Sequence, residues 1–333
     1  MAENWDFIGN EWAVDLLRGQ IAKQSLRHAY LFSGPEGIGR RTLALKLAQA
    51  ANCEQPPAPG DFCGACRACR GFSQMGHTDL HIVELQEGDR QIKVEAVREL
   101  SRMLALTPYE ARYQVALLVD FDLASEQAAN ALLKTLEEPA ERVLLLLTAE
   151  SAESLPATIA SRCEVLRLRP VEAEELERGL REGYGIVEER ARLAARLSGG
   201  RPGRALQLAR DEEALQQRGE WLAEALQLLD EDHVGRFRYA ENASKDRDQL
   251  RAILDVWLSL WRDVLMQKGG EDAAMANIDQ EADIVRVAAG LKLQAIREFV
   301  ASIQDTLFEL RGNVHPRLAF EALLIALPET SPN

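Results

Sequence analysis

A glycine-rich turn between an apolar run and a helical pattern dominates the N-terminal part of this chain. Residues 28–42 read HAYLFSGPEGIGRRT. Gly34 and Gly39 keep the spacing of the phosphate-binding loop GxxxxGK[ST], and Gly37 lies between them. A strand that runs into such a loop and then opens a helix is the first unit of a parallel α/β sheet. The segment therefore predicts an α/β domain of the P-loop type.

The same loop lacks the side chains that a working P-loop uses. In GxxxxGK[ST] the lysine reaches the outer phosphates and the hydroxyl ligates magnesium. Arg40 and Arg41 occupy those positions, and Thr42 comes one residue later, rotated by about 100° around the helix. The planar arginine head is a poor replacement for a compact ammonium in a tight loop. We expect ATP to bind weakly or not at all and hydrolysis to be absent; the alternative is an ordinary strand-to-helix turn.

The other elements of a P-loop ATPase are also incomplete. The apolar run YQVALLVDF should end in two adjacent acids that hold magnesium and activate water. It ends instead in Val119, Asp120, Phe121 and Asp122. Val119 falls where the metal-binding acid is expected, or Asp120 takes that role in a register shifted by one residue. Thr148 ends the next apolar run, where it either senses a γ-phosphate or makes a turn bond.

Four of the five cysteines are concentrated in one short insert. Cys53, Cys63, Cys66 and Cys69 form the pattern C-x9-C-x2-C-x2-C. Zn²⁺ takes four such thiolates in a tetrahedron, and C-x2-C spacing presents two of them on one side of a tight turn. Four protein ligands leave no open position for catalysis. We therefore expect a structural zinc knuckle; free cysteines in a loop are the alternative.

Periodicity divides the 333 residues into three predicted domains. Near-continuous apolar runs alternate with helical patterns up to Pro170, which is typical of a parallel sheet covered on both faces. Residues 171–209 read as a small helical unit broken by Gly199, Gly200 and Pro202. The rest is helical throughout. The predicted domains are 1–170, 171–209 and 210–333.

The charge of the chain limits its partners. The formal net charge is −14 at pH 7, which argues against broad adhesion to nucleic-acid backbones. Any contact with DNA is expected to be local or made through partner proteins. No apolar run approaches the ~20 residues of a membrane span, and the first residues show no leader-like apolar stretch. We expect a cytoplasmic location and no membrane partner.

In this order the motifs resemble the clamp-loader AAA+ ATPases of bacterial replication. The resemblance covers almost the whole chain, and its motifs are HAYLFSGPEGIG, the four-cysteine knuckle, NALLKTLEEP at 130–139, ATIASRC at 157–163 and NVHPRLAFEALL at 313–324. It implies an AAA+ α/β domain with an inserted zinc knuckle, a helical lid and an all-α collar. Because Arg40, Arg41 and Val119 depart from the gamma/tau motor pattern, the chain is similar to the noncatalytic branch of this family.

That branch implies a role without ATP turnover of its own. The resemblance implies a rigid stator in a five-subunit ring with gamma/tau motors and the delta subunit. The ring loads the sliding clamp on primer-template DNA as part of a DNA-directed DNA polymerase holoenzyme, a nucleotidyltransferase complex. Arg162 of the SRC motif then becomes an arginine finger for the ATPase site of a neighbouring subunit. Many AAA+ lids carry a second sensing arginine, and Gly203 stands at that position with Arg204 next to it.

Two other functions remain open from the sequence. The first is an active gamma/tau-type ATPase in which Arg40 replaces the lysine and Asp120 or Asp122 holds the metal. ATP turnover by the isolated chain would favour it. The second is a zinc-dependent nucleic-acid-binding module that uses Arg67 and Arg70 of the knuckle, although the acidic net charge disfavours it. Loss of DNA affinity on mutating those arginines would support it.

Overall fold

The computed structural model describes residues 5–270, 275–312 and 314–328. Its sheet consists of β1 (Ala29–Ser33), β2 (Leu80–Val83), β3 (Gln114–Leu118), β4 (Val143–Ala149) and β5 (Glu164–Arg167). The strand order is β2-β3-β4-β1-β5, and every pairing is parallel. The predicted α/β fold with a parallel sheet is confirmed.

Helices flank the sheet and make up the C-terminal part. They are α1 (Glu11–Ala22), α2 (Arg40–Asn52), α3 (Arg67–Ser73), α4 (Val94–Leu104), α5 (Glu126–Glu137), α6 (Ala157–Ala160), α7 (Ala173–Tyr184), α8 (Glu188–Leu197), α9 (Pro202–Arg210), α10 (Glu212–Gln227), α11 (His233–Ala243), α12 (Arg247–Gly269), α13 (Glu281–Gly290), α14 (Leu293–Glu309) and α15 (Pro316–Ile325). None of the helices in the described ranges is both long enough and apolar enough to span a membrane.

The central strands are apolar along their whole length because both faces of the sheet are covered. In β1, Tyr30 and Phe32 pack with residues of α1 and α2 on one face. Ala29 and Leu31 pack with residues of α4 and α5 on the other face. Every residue of β1, β3 and β4 is buried. This two-sided burial explains why the sequence shows continuous apolar runs instead of alternation.

The chain separates into two compact units. The first contains the sheet and comprises residues 1–185 and 200–204; the second is helical and comprises residues 186–199 and 205–333. In the core of the second unit, Trp257 and Trp261 of α12 are 0% and 1% exposed. The three domains proposed from the sequence, with a separate lid and collar, stay a prediction.

A buried carboxylate fixes the loop that precedes β3. Asp79 is 2% exposed and accepts hydrogen bonds from the backbone N–H groups of Tyr109, Glu110 and Ala111, at 2.6, 2.9 and 2.8 Å. Burial alone would raise the pKa of Asp79, but these bonds outweigh it and lower the pKa below its ordinary value. A carboxyl with a depressed folded-state pKa stabilises the fold above its unfolded pKa. That stabilisation is lost as the pH falls through the folded-state pKa.

We therefore expect Asp79→Asn to lower the free energy of unfolding at pH 7 by about 1–3 kcal/mol, because a neutral amide accepts these bonds less well. The difference from the wild type should begin to shrink as the pH falls below the ordinary aspartate pKa of about 4, and it should vanish as the pH falls through the lowered pKa of the folded state. Urea unfolding of both proteins between pH 7 and pH 3 measures it. Asp15→Asn, an exposed position on α1, is the control and should change stability little. A constant difference at all pH values would contradict the prediction.

Candidate functional site

The glycine-rich loop joins β1 to α2, and other segments of the chain pack closely against it. Gly34, Gly37 and Gly39 have φ angles of 151°, 79° and 105°, which side-chain-bearing residues rarely adopt. A Cβ on Gly34 would lie 2.8 Å from the carbonyl oxygen of Leu168, and one on Gly39 would lie 2.9 Å from the ring of Phe7. Backbone conformation and packing therefore account for these glycines without a bound phosphate.

Residues 200–204 contact the same loop. The N–H of Gly203 donates to the carbonyl oxygen of Gly37 at 2.7 Å. A Cβ on Gly203 would lie 2.9 Å from that oxygen. Gly203, which the sequence predicts at the position of the sensing arginine, thus contacts the loop directly through its backbone because it has no side chain.

The cation at the lysine position is paired within the chain. Arg40 Nη2 lies 2.9 Å from Asp120 Oδ1, and the Arg40 side chain is 10% exposed. The backbone N–H of Asp120 donates to Thr148 Oγ1 at 2.8 Å, and the Thr148 hydroxyl donates to Asp120 Oδ1 at 3.3 Å. Arg40, Asp120 and Thr148 therefore form one hydrogen-bonded group at the carboxyl ends of β3 and β4. Both roles predicted for Thr148, sensing a γ-phosphate and making a turn bond, stay predictions, because these bonds join it to Asp120 after the neighbouring strand.

The positions that would hold magnesium carry other contacts. Arg41 Nη1 lies 3.0 Å from Glu84 Oε2, just after β2. Val119 packs against the apolar cluster that contains Tyr30 and Phe32. Burial raises the pKa of the Asp122 carboxyl, which disfavours its ionised form. An arginine, a valine and a carboxyl with a raised pKa make a poor site for a cation that prefers ionised oxygen ligands.

The four cysteines converge between the end of α2 and α3. The Sγ atoms of Cys53, Cys63, Cys66 and Cys69 all lie within 4.8 Å of one another. Zn–S bonds of about 2.3 Å in a tetrahedron separate the sulfurs by about 3.8 Å, and the Sγ atoms of Cys63 and Cys69 are 4.0 Å apart. The residues fit a tetrahedral thiolate site, and a metal such as zinc can bind there.

Backbone N–H groups also point at these sulfurs. The N–H groups of Cys63, Cys66 and Cys69 donate to the Sγ atoms of Cys53, Cys63 and Cys66 at 3.2, 3.3 and 3.4 Å. Hydrogen bonds from the N–H groups of Ala65 and Cys66 lower the pKa of Cys63 to about 7, whereas burial raises that of Cys69. Such donors stabilise the thiolate form at Cys63, whereas burial raises the pKa of Cys53 as well as that of Cys69.

Arg162 lies at the surface between α6 and β5, with 35% of its side chain exposed. Its Nη2 lies 2.6 Å from Glu137 Oε1, and its Nη1 donates to the carbonyl oxygen of Thr158 at 2.8 Å. Glu164 pairs with Tyr30 in the parallel register of β5 and β1. Arg162 precedes β5, whereas the glycine-rich loop follows β1, so the two lie toward opposite ends of the sheet.

The structure thus divides the predicted site residues into three groups: the loop with Arg40, the cysteine cluster, and Arg162. Sequence reasoning missed three partners of these groups, namely Phe7 on Gly39, Glu84 on Arg41 and Glu137 on Arg162. Phe7 and Glu84 carry no local signal of their roles. Glu137 could have been found, because it lies within the NALLKTLEEP motif.

Comparison with known proteins gives matches of several kinds. Residues 9–172 match the family model described as DNA polymerase III, delta subunit. DNA polymerase III subunit delta' of Bacillus subtilis is 28% identical, with 95% of each chain covered. DNA polymerase III subunit tau of the same organism is 24% identical and covers 98% of this chain, which spans 61% of that relative.

A gamma subunit-related protein of DNA polymerase III from Thermotoga maritima shares the fold. Its crystal structure superposes with a TM-score of 0.50 at 19% identity, over 94% of this chain and 97% of that one. The delta' relative matches over nearly its full length, whereas the tau relative is longer than this chain. Together with the motifs, these homologues indicate a clamp-loader subunit of DNA polymerase III, similar to the delta' and tau/gamma proteins.

Proposed function

We propose that this chain is the noncatalytic stator subunit of a bacterial clamp loader and supplies an arginine finger to a neighbouring gamma/tau ATPase. The observation that carries the noncatalytic assignment is the Arg40–Asp120 ion pair at 2.9 Å. Arg40, the cation at the lysine position, is paired with Asp120, the carboxylate that would have to ligate magnesium or activate water. Arg41 adds to this, because it replaces the hydroxyl ligand and pairs with Glu84. Such a loop is not expected to hydrolyse ATP.

Arg162 is the proposed finger. Its neighbours in β5 lie beside β1, and the paired residues alone span about 10 Å at 3.3 Å per residue. Arg162 therefore lies too far from its own loop to act there by side-chain rotation, whereas a neighbouring subunit can approach it from outside. Its ion pair with Glu137 is partly exposed, and such surface pairs contribute little stability. Arg162 can therefore exchange Glu137 for a phosphate at small cost.

The proposed partners follow from this role. They are the gamma/tau motors and the delta subunit in a hetero-pentameric ring, with the C-terminal helices as the collar. The sliding clamp and primer-template DNA are reached through the assembly, in the cytoplasm. The proposed cofactor is one structural Zn²⁺ held by Cys53, Cys63, Cys66 and Cys69.

Arg162→Ala should reduce the ATP turnover of a reconstituted clamp loader without preventing its assembly. An arginine finger raises the rate of hydrolysis at the site it completes by a factor of about 10³–10⁵. That one site should therefore stop hydrolysing ATP while the other sites continue. The measurement is clamp- and DNA-stimulated ATP hydrolysis by rings that contain wild-type, Arg162→Ala or Arg162→Lys protein. Arg102→Ala is the matched control, since Arg102 is an exposed arginine of the sheet-containing unit and forms a similar surface ion pair with Glu99 at 2.8 Å.

Two results would overturn the proposal in different ways. A full rate in rings with Arg162→Ala protein would refute the finger and leave the noncatalytic assignment standing. ATP turnover by the isolated chain that Arg40→Ala abolishes would instead identify an active gamma/tau-type ATPase with an atypical P-loop. The isolated wild-type chain is expected to show no turnover above the buffer background.

A further inference from the structure

The sheet has an open edge at β5. This strand pairs with β1 on one side only. The N–H of Leu168 donates to Ser33 at 2.7 Å, and backbone groups of a strand point alternately to its two sides. The N–H and C=O groups of Val165, Arg167 and Arg169 therefore point away from the sheet. Within the described residues, the outward N–H and C=O groups of Val165 and Arg167 have no backbone hydrogen-bond partner on the side away from β1.

Side chains from α1 and the residue before it close both ends of this edge. Asn10 caps Arg169: its Nδ2 donates to the Arg169 carbonyl oxygen, and its Oδ1 accepts from the Arg169 N–H, both at 2.9 Å. At the other end, Gln20 Nε2 donates to the carboxylate of Glu164 at 2.8 Å. Helix α1 is thus tied to β5 at both ends, and the open backbone groups are confined to residues 165–167.

A cavity of about 320 Å³ lies at this open edge. It is lined by Trp12, Val165, Arg167 and Arg169. Trp12 is 47% exposed, and Leu16, one helical turn further along α1, is 39% exposed. Large apolar side chains of this kind next to unpaired strand groups form a surface suited to another chain.

The two walls of the cavity belong to different faces of the sheet. Helix α1 covers the face on which Leu166 and Leu168 are buried. Val165 packs with the core of the opposite face, and Arg167 and Arg169 follow it at intervals of two residues. Because side chains alternate along a strand, the cavity has an apolar wall from α1 on one face and an arginine wall on the other.

We propose that this edge binds an extended acidic peptide of a partner protein as an added strand. A peptide in which apolar and acidic residues alternate would place its apolar side chains against Trp12 and Leu16 and its carboxylates against Arg167 and Arg169. The backbone groups of Val165 and Arg167 select an extended chain by main-chain hydrogen bonds.

Arg167 and Arg169 supply the positive charge of this cavity, whereas Glu11, Glu172 and Glu175 line a second cavity that also contains Trp12 and Arg169. Arg169 has no ion pair within the described part of the chain, and Arg167 pairs with Glu153, whose side chain is 72% exposed. A peptide carboxylate can therefore bind Arg169 directly and displace Glu153 from Arg167. The proposal rests on the fold alone and does not depend on the role of Arg162.

The test uses the full chain and a fluorescein-labelled peptide of sequence DVDFDVDF, followed by fluorescence anisotropy at low salt. Two further peptides carry N-methyl groups at every second residue, one on the odd and one on the even positions. Strand addition predicts saturable binding of the parent peptide, with at least tenfold loss for only one of the two methylated peptides. That asymmetry arises because only alternate N–H groups of the peptide face β5.

Protein variants provide the second arm. Val165→Pro removes an outward N–H at an edge position, where proline is tolerated, and should weaken binding at least tenfold, whereas Val165→Ala should retain it. Arg169→Glu should weaken it at least tenfold as well. If Val165→Pro fails to fold, the comparison of the two methylated peptides still tests whether the peptide binds as an added strand. Absence of saturable binding, or equal affinity for both methylated peptides, would overturn the proposal. Trp12 and the arginines would then only protect an exposed strand edge from pairing with other chains.

Discussion

Cys69→Ser is expected to abolish metal binding by the four-cysteine cluster and to unfold the insert around α3 while the sheet stays folded. Cys69 is fully buried and lies in α3, so its sulfur cannot be replaced by a ligand from solvent without opening the insert. Structural zinc sites contribute about 10–16 kcal/mol of apparent binding free energy in zinc-finger peptides. Metal analysis of the purified full chain should find about one zinc per chain in the wild type and none in the variant.

The fifth cysteine supplies the control for this experiment. Cys163 lies outside the cluster, and burial raises its pKa to about 12. Cys163→Ser should retain the full zinc content, because Cys163 is no ligand. Retention of zinc by Cys69→Ser, or a wild-type chain without zinc when purified without chelators, would contradict the assignment of the cluster as a zinc site.

Loss of the metal should also speed hydrogen exchange next to the glycine-rich loop. Trp5 is 1% exposed, and its indole N–H donates to the carbonyl oxygen of Gly60, within the insert, at 3.3 Å. Phe7, two residues after Trp5, packs against Gly39 of the glycine-rich loop. We therefore expect hydrogen exchange to accelerate in α3 and at the start of α2 together when zinc is removed. Faster exchange in α3 alone would show that the insert and the loop are not coupled.

The sequence predicted those parts of the site that depend on local patterns. The strand, the glycine turn and the helix around Gly34 follow each other directly, and the cysteine spacing matches the geometry of one metal ion. The Arg40–Asp120 pair could not be predicted in the same way, because it depends on the placement of β3 and β4 beside β1. Apolar runs identify strands that are buried on both faces, but they do not encode the strand order.

The open edge of β5 was missed for a related reason. Val165 and Arg167 look like an ordinary short strand in the sequence, and nothing in their neighbourhood shows that one side stays unpaired. Only the position of β5 at the end of the strand order, together with the caps from Asn10 and Gln20, defines the edge. Sites of this kind depend on topology, whereas the zinc knuckle depends on spacing.

Trp261→Ala should destabilise the helical unit by about 3–5 kcal/mol, because it opens a large cavity in a closely packed core. Trp261 is 1% exposed, and its ring packs edge-on against Phe299 with the centroids 4.6 Å apart. The indole Nε1 is buried without a hydrogen-bond partner in the described structure. Trp261→Phe therefore loses no hydrogen bond and should destabilise the unit by less than about 1.5 kcal/mol.

Calorimetry of the full chain, combined with hydrogen exchange in α12 and α14, separates the response of the helical unit from that of the sheet. Phe308→Ala is the surface control: Phe308 is 75% exposed on α14, and its loss should change stability by no more than about 0.5 kcal/mol. Equal effects of Trp261→Ala and Trp261→Phe would show that ring volume is not what stabilises this core. If the helical unit also forms the collar, Trp261→Ala should weaken ring assembly while zinc content stays unchanged, which distinguishes it from Cys69→Ser.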